Sequence, residues 1–209
     1  MKIKWRGHAS FLIELGSKKI ITDPFNESYG YPMNPVAADF VTVSHEHRDH
    51  NAVETVDGQP RIIRGSGMIT MEGIIIKGIA SFHDKHQGRE RGQNTIFKIS
   101  TEDINLVHLG DLGHVLSAGQ VQEIGAVDIL LLPIGGRYTI EAGEASQIVS
   151  LLQPRVVIPM HFGTPHLSFK LAPLEEFTAR YDLIIKKPSL ELQACDLGQE
   201  MKIIVLDYL

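Results

Sequence analysis

The pattern of hydrophobic and polar positions predicts mainly β-strands. Short apolar runs follow one another through the first half of the chain, and Gly, Asn, Asp or Pro separates most of them. Within residues 10–15, Phe11, Ile13 and Leu15 share one face, which is typical of a strand that lies with one side on a core. The predicted strands cover residues 3–5, 10–15, 19–22, 40–44, 61–64, 74–80, 95–99, 104–109, 127–132, 155–158, 181–185 and 202–206.

The second half of the chain adds three helical patterns. Ser117 is followed three positions later by Gln120, which forms a capping box ahead of an apolar stretch. A further helix is predicted after Thr139, where apolar side chains recur at helical spacing. Its core face would consist of Ala145, Ile148, Val149 and Leu152. Pro173 opens a third candidate helix that runs through Phe177.

Length and composition favour one globular domain over residues 1–209, because no linker, repeat or low-complexity segment divides the chain. The formal net charge of -5 argues against a large nucleic-acid interface. The single cysteine, Cys195, excludes an intrachain disulfide framework. The N-terminal segment lacks the apolar stretch of a signal peptide, and no apolar run reaches the roughly 18 residues of a membrane span. We therefore expect a cytoplasmic protein without a membrane partner.

Residues 43–51 are unusually rich in potential metal ligands. The segment includes three imidazoles and two carboxylates within six positions, at His45, Glu46, His47, Asp49 and His50. If residues 40–44 form a buried strand, a turn at its end aims His45 and His47 at one metal ion. Asp49 and His50, at the start of a short helix, then face a second ion. Glu46 lies between ligands and is expected to point to solvent.

Three further candidate ligands follow other predicted strands. His83 ends the apolar run 74–82, Asp111 follows the run 104–110, and His161 follows the run 155–160. Together with residues 45–50, four separate strands therefore deliver imidazole or carboxylate groups at their C-terminal ends. This arrangement predicts a metal site at one edge of a β-sandwich. His108 lies inside its strand, and we expect it to be a packed, hydrogen-bonded residue rather than a ligand.

The order of these motifs resembles the metallo-β-lactamase superfamily. Finer features resemble its small stand-alone hydrolases related to the ascorbate-6-phosphate lactonases, namely residues 7–10 (GHAS), 22–25 (TDPF), 108–111 (HLGD) and 158–161 (IPMH). The resemblance implies an α+β fold, a four-layer αββα sandwich. It also implies that His45, His47 and His83 hold one metal, that Asp49, His50 and His161 hold the other, and that Asp111 bridges them. One departure is Leu112, where many relatives have Thr.

This ligand set predicts a hydrolase with two divalent ions, zinc being the first choice ahead of Mn(II) or Fe(II). A hydroxide between the ions would attack an ester, lactone or phosphoester bond in a small anionic metabolite. Asp49 would orient the hydroxide and accept its proton, and His114 is a candidate general acid. His8 and Asp23 are candidates for positioning the ligands. Anion recognition is expected from the loop after His83 and its neighbours, with His86, Arg89, Arg91 and Tyr138 as candidates.

Two other functions stay open at this point. A phosphodiesterase or nuclease of the same fold is disfavoured because such enzymes usually carry an added RNA-binding element. A non-catalytic metal-binding module or an electron-transfer partner is disfavoured because all seven ligands are present and no flavin domain exists. The expected partner is a small-molecule substrate, and the sequence leaves open whether the chain forms a homo-oligomer.

Overall fold

The computed structural model describes residues 1–208, and β-strands make up most of their regular structure. In chain order the strands are β1 (Lys2–Gly7), β2 (Ser10–Leu15), β3 (Lys18–Thr22), β4 (Val36–Ala37), β5 (Phe40–Val43), β6 (Val56–Asp57), β7 (Arg61–Arg64), β8 (Gly67–Met71), β9 (Ile74–Phe82), β10 (Gln93–Ser100), β11 (Asn105–His108), β12 (Ile129–Pro133), β13 (Val156–Met160), β14 (Ile184–Lys187), β15 (Leu190–Glu191) and β16 (Lys202–Leu206). The α-helices in this range are α1 (Ala118–Ile124), α2 (Ala142–Leu152) and α3 (Glu175–Thr178).

Two sheets enclose the main hydrophobic core. One has the strand order β15-β1-β2-β3-β5-β7, and the other has the order β14-β16-β13-β12-β11-β10-β9-β8. Strand β2 shows how alternation places side chains: Phe11 and Ile13 belong to the shared core, whereas Leu12 packs in a second cluster on the opposite face. The predicted α+β sandwich is confirmed.

The predicted helices form at the expected places. The side chain of Ser117 accepts a hydrogen bond from the Gln120 amide, so the capping box of α1 is present. The predicted apolar face of α2 is buried on the shared core. The outer face of the first sheet is covered by residues 36–38 and 53–57, which include the short β4–β6 pair and a 3₁₀ turn (Val53–Thr55). Within residues 1–208, no helix combines the length and the hydropathy needed to cross a lipid bilayer.

Some element boundaries differ from the prediction. Strand β14 begins at Ile184 rather than at residue 181, because the Tyr181 amide continues the turn after α3 by donating to the Thr178 carbonyl. Strands β4, β6, β8 and β15 were not predicted. They carry few buried side chains, and Met68 in β8 is 68% exposed, so these segments lack the apolar signal of a strand. The predicted short helix at Asp49 is a turn, in which the His50 amide donates to the His47 carbonyl, 3.0 Å away.

Strand direction brings many chain segments to one edge. In the first sheet β1 and β3 both run antiparallel to β2, and β5 is parallel to β3. In the second sheet β9 and β11 both run antiparallel to β10, and β12 and β13 are parallel to β11. Main-chain hydrogen bonds join the sheets at this edge, from His161 N to His8 O (3.1 Å) and from Thr95 N to Ser44 O (2.8 Å). The C-terminal ends of seven strands therefore meet in one place.

Candidate metal centre

Imidazole and carboxylate side chains follow six of these strand ends within three residues. The residues, in chain order, are His8 after β1, Asp23 after β3, His45 after β5, His83 after β9, Asp111 after β11 and His161 after β13. All six are buried. The turn after His45 adds His47, Asp49 and His50. The structure thus brings together all seven predicted ligands, together with His8 and Asp23.

One group of ligand atoms comes from His45, His47 and His83. Their candidate ligand atoms all lie within 4.8 Å of one another. His45 and His83 are buried, whereas His47 is exposed, so solvent reaches this group from the His47 side. The membership of this group agrees with the set predicted for the first metal.

A second group consists of His8, His50 and His161, whose ligand atoms also lie within 4.8 Å of one another. His8 Nε2 is 3.1 Å from His50 Nε2 and 3.2 Å from Asp49 Oδ2. From the sequence we expected only a positioning role for His8, yet its ring nitrogen lies directly among the ligand atoms. The signal that identifies it is its place directly after β1, equivalent to the place of His161 directly after β13.

Asp111 lies between the two groups. Its Oδ2 atom is 3.1 Å from His161 Nε2, 3.3 Å from His50 Nε2 and 3.4 Å from His83 Nε2. Within residues 1–208, Asp111 Oδ1 and His45 Nε2 are buried without a hydrogen-bond partner. Buried polar atoms are normally paired, and a metal ion satisfies both a carboxylate oxygen and an imidazole nitrogen. The donor set therefore fits a metal.

Asp23 orients ligands from both groups. Its Oδ2 accepts hydrogen bonds from His50 Nδ1 (3.0 Å) and Ser44 Oγ (2.6 Å), and its Oδ1 accepts from Ser44 N (2.7 Å). Ser44 Oγ in turn lies 2.9 Å from His45 Nδ1. A hydrogen bond at Nδ1 fixes the tautomer that leaves the Nε2 lone pair free for a metal. One buried carboxylate thus holds an imidazole of each group in its ligating form.

Asn94 and His108 position the Asp111 turn. The Asn94 amide group accepts from Asp111 N (3.0 Å) and donates to Leu109 O (2.9 Å). His108 Nε2 donates to the Ala9 carbonyl, 2.8 Å away, next to His8, and its Nδ1 accepts from Gly110 N. The expectation that His108 is packed and hydrogen-bonded is confirmed. Asn94 was missed, because asparagine is equally common in ordinary turns.

The charges of the cluster favour a bound cation. Burial, together with the neighbouring charge of His50, lowers the pKa of His45 to about 3, so its imidazole is neutral at pH 7. Burial opposes ionisation of Asp111, but the charges of His161 and His50 hold the pKa of this carboxyl well below its usual range. At His50 burial is outweighed by Asp111 and Asp23, which raise its pKa well above the usual value. A positive charge is therefore stabilised where a metal ion would bind.

Three of the site residues have a left-handed backbone. His8 has φ 52°, Asp23 has φ 39° and His161 has φ 51°. Non-glycine residues rarely adopt this region, and such strain is concentrated at functional sites. The sharp change of direction at each of these strand ends turns the side chain toward the common centre.

The remaining candidates lie around this centre. His114 Nδ1 contacts the Val115 carbonyl at 2.9 Å, and its Nε2 accepts from Phe82 N at 3.3 Å, so main-chain partners occupy both nitrogens. The general-acid role expected for His114 has no support in this geometry. His86 is exposed and pairs with Glu90 at 2.7 Å. Arg89 is exposed as well, whereas Arg91 and Tyr138 are half-buried and contact each other.

Comparison with known proteins agrees with this architecture. A family model described as a beta-lactamase superfamily domain matches residues 2–161. A UPF0173 metal-dependent hydrolase from Thermococcus kodakarensis is 32% identical over 192 residues, which cover 78% of this chain and 85% of the relative. The UPF0173 metal-dependent hydrolase of Pyrococcus horikoshii is 30% identical over 227 residues, with coverages of 92% and 99%.

A solved structure from Thermotoga maritima is similar over almost its entire length. That protein is assigned to the Zn-dependent hydrolases of the metallo-beta-lactamase superfamily. It is 42% identical, the TM-score is 0.84, and the match covers 98% of this chain and 97% of the other. The residues matched by the family model include every strand-end side chain from His8 to His161. The chain therefore belongs to the metallo-β-lactamase superfamily and is a metal-dependent hydrolase.

Proposed function

We propose that the protein uses two divalent ions, with zinc as the first choice, to cleave an ester, lactone or phosphoester bond in a small anionic metabolite. A lactone is the preferred substrate. The observation that carries this proposal is the presence of two groups of imidazoles on either side of one buried carboxylate, Asp111. A cytoplasmic location and the absence of nucleic-acid and membrane partners stay predictions.

The proposed ligands follow from the two groups. His45, His47 and His83 would hold one ion, and His50, His161 and Asp49 would hold the other, with Asp111 shared. His8 Nε2 belongs to the second group by distance, because 3.1 Å from His50 Nε2 is close to the separation of two nitrogens at about 2.0–2.1 Å from a tetrahedral ion. Imidazoles combined with carboxylates suit Zn(II), Mn(II) and Fe(II).

Asp49 is the proposed proton acceptor. When bound, the ions would lower the pKa of water and polarise the carbonyl or phosphoryl oxygen of the substrate. The Asp49 side chain is 21% exposed, so part of this carboxylate faces the open side of the cluster. Burial opposes ionisation, but the neighbouring imidazoles of His8 and His50 lower the pKa of Asp49 below its usual range. The carboxylate is therefore ionised at neutral pH and available to take a proton.

The test begins with the metal. The purified protein is stripped with a chelator, reconstituted separately with Zn(II), Mn(II) or Fe(II), and assayed against lactones, phosphodiesters and thioesters. Asp111→Ala is expected to lower both metal content and turnover, by at least ~100-fold in turnover, because both ion positions lose a charged ligand. Asp103→Ala, at an exposed loop position, is the matched control. Full metal content and full turnover in Asp111→Ala would contradict the proposal.

A further inference from the structure

Aromatic rings extend from the metal centre to the surrounding loops. The Phe169 ring lies edge-on to the His8 imidazole, with ring centroids 5.8 Å apart. Tyr138 contacts Phe169 at 6.1 Å, and Tyr29 contacts it at 6.4 Å, again with steeply inclined rings. These three aromatic side chains are half-buried, so each keeps part of its surface accessible. They form an apolar wall that begins beside the proposed second ion.

Two arginines lie against the far end of this wall. The guanidinium carbon of Arg91 is 4.5 Å from the centroid of the Tyr138 ring, and that of Arg137 is 4.9 Å from the same centroid. Among residues 1–208, no carboxylate lies within 4.0 Å of either guanidinium. We call Arg91, Arg137 and Tyr138 the arginine–tyrosine platform.

The loop that carries Arg91 is held rigidly next to the centre. Asp84, directly after His83, accepts four main-chain hydrogen bonds, from the amides of residues 86, 88, 90 and 91, at 2.7 to 3.0 Å. The His83 amide donates to the Gly92 carbonyl, which closes the loop. Lys85 forms an ion pair of 2.7 Å with Glu144 on helix α2. The main chain at Arg91 is therefore fixed before any ligand binds, which reduces the entropy lost on binding.

Each cation is attracted to the Tyr138 ring, but the ring leaves its charge without a counter-ion. An anion near this ring would be attracted by both guanidinium groups and accept hydrogen bonds from their N–H groups, which suit carboxylate and phosphate oxygens. Arg137 already donates to the Lys170 carbonyl at 3.2 Å and keeps its other N–H groups for a ligand.

We propose that the arginine–tyrosine platform binds the anionic group of the substrate, while the scissile carbonyl lies at the metal centre and the apolar part of the substrate packs on Phe169. The substrate class is a small ester or lactone with a carboxylate or phosphate group at a distance from the reacting carbon. This inference rests on the proposed function and adds to it the residues that select the substrate. Arg91 and Arg137 would therefore affect substrate binding, and not the chemical step in which the bond breaks.

Three phenyl esters that share the leaving group and differ only in the group at the end of the acyl chain test the platform on the zinc-reconstituted protein. Phenyl hydrogen succinate carries a carboxylate, the phenyl ester of 3-phosphonopropionic acid carries a phosphonate, and phenyl butyrate is neutral. Arg91→Met and Arg137→Met are each expected to lower kcat/KM for an anionic ester about 10- to 100-fold, mainly through KM, and to leave phenyl butyrate unchanged. The more affected anionic ester identifies the preferred group. Arg61→Met is the matched control, because Arg61 is exposed at the start of β7, in a different part of the chain.

Equal losses for charged and neutral esters would overturn the platform, as would unchanged kinetics in both arginine variants. Binding provides a second measurement that does not need turnover. Titration calorimetry with succinate and with inorganic phosphate should show about 10-fold weaker binding to Arg91→Met than to Arg61→Met. If no phenyl ester, lactone or phosphodiester is cleaved but this difference is present, the platform is supported and the proposed hydrolysis is contradicted. Equal affinities in the two variants overturn the platform whatever the activity.

Discussion

Replacing Asp23 with asparagine is expected to weaken metal binding in both groups at once. Asparagine has nearly the same shape, but one carboxylate oxygen becomes an NH₂ donor. In the wild type, His50 Nδ1 lies 3.0 Å from Asp23 Oδ2. If the NH₂ group of the asparagine occupies the position of Oδ2, it faces this nitrogen. The imidazole must then adopt the other tautomer, with its proton on Nε2, and Nε2 can no longer bind a metal.

The magnitude follows from the number of ligands that Asp23 orients. Loss of an outer hydrogen-bond partner typically lowers metal affinity 10- to 100-fold, which corresponds to about 1.4 to 2.7 kcal/mol per ion. In the proposed two-ion site, an ion bound by His50 would lose a direct contact of its ligand with Asp23, so its affinity should fall by the larger amount. An ion bound by His45 would be affected through Ser44, whose hydroxyl is 2.6 Å from Asp23 Oδ2 and 2.9 Å from His45 Nδ1. Ser44→Ala should therefore weaken only the His45 ion.

Titration calorimetry of the metal-free protein with Zn(II), in the presence of a competing chelator, measures both affinities. Asp57→Asn is a suitable control, because Asp57 is exposed in strand β6. Two binding events should weaken in Asp23→Asn, one in Ser44→Ala and none in the control. Unchanged isotherms for Asp23→Asn would refute the reasoning, and so would identical isotherms for Asp23→Asn and Ser44→Ala.

Three further predictions concern other parts of the centre. His8→Asn, which tolerates the left-handed backbone, should weaken one zinc-binding event about 10-fold in calorimetry, and an unchanged isotherm would exclude His8 as a ligand. Gly113→Ala should lower the free energy of unfolding, measured in urea, by about 2 to 3 kcal/mol, because the added Cβ would overlap the His83 carbonyl carbon. The control is Gly198→Ala, whose Cβ would meet no atom within 4 Å and should change the free energy of unfolding by less than about 0.5 kcal/mol. Burial opposes ionisation of Asp84, but hydrogen bonds from main-chain N–H groups lower its pKa from 3.8 to about 2. The ionised side chain therefore stabilises the folded state fully above about pH 4, and this stabilisation is lost as the pH falls toward 2. The difference in unfolding free energy between the wild type and Asp84→Asn should accordingly be constant from about pH 7 to pH 5 and shrink below pH 4, and a difference that grows on acidification would contradict this sign.

The sequence predicted those parts of the site that have a local signal. The cluster at residues 45–50 and the side chains at the ends of β9, β11 and β13 could be identified because apolar runs mark the strands and a ligand follows each run within three residues. His8 also follows an apolar run, but the sequence does not show at which edge of the sheet that strand ends, because strand direction is decided by long-range pairing. Only the antiparallel position of β2 between β1 and β3 shows that His8 and Asp23 reach the same edge.

Features without a local signal could not be predicted. The edge strand β8 exposes most of its side chains, so packing does not constrain its sequence. Asn94 lies 17 positions from Asp111 and hydrogen-bonds to it only after β10 and β11 pair. The contact of Arg91 with Tyr138 joins loops from distant parts of the chain. Such contacts depend on tertiary packing and not on periodicity.

The left-handed backbone at His8, Asp23 and His161 lowers the stability of this protein at the positions that its chemistry needs. Each of these conformations costs of the order of 1 kcal/mol in a residue with a side chain, and glycine would relieve that strain. Laboratory evolution that selects for heat resistance alone would therefore favour glycine at these positions, and glycine removes the side chains that gather at the centre. Selection for activity therefore has to be maintained in every round, because the substitutions that most easily raise stability at these positions also inactivate the protein.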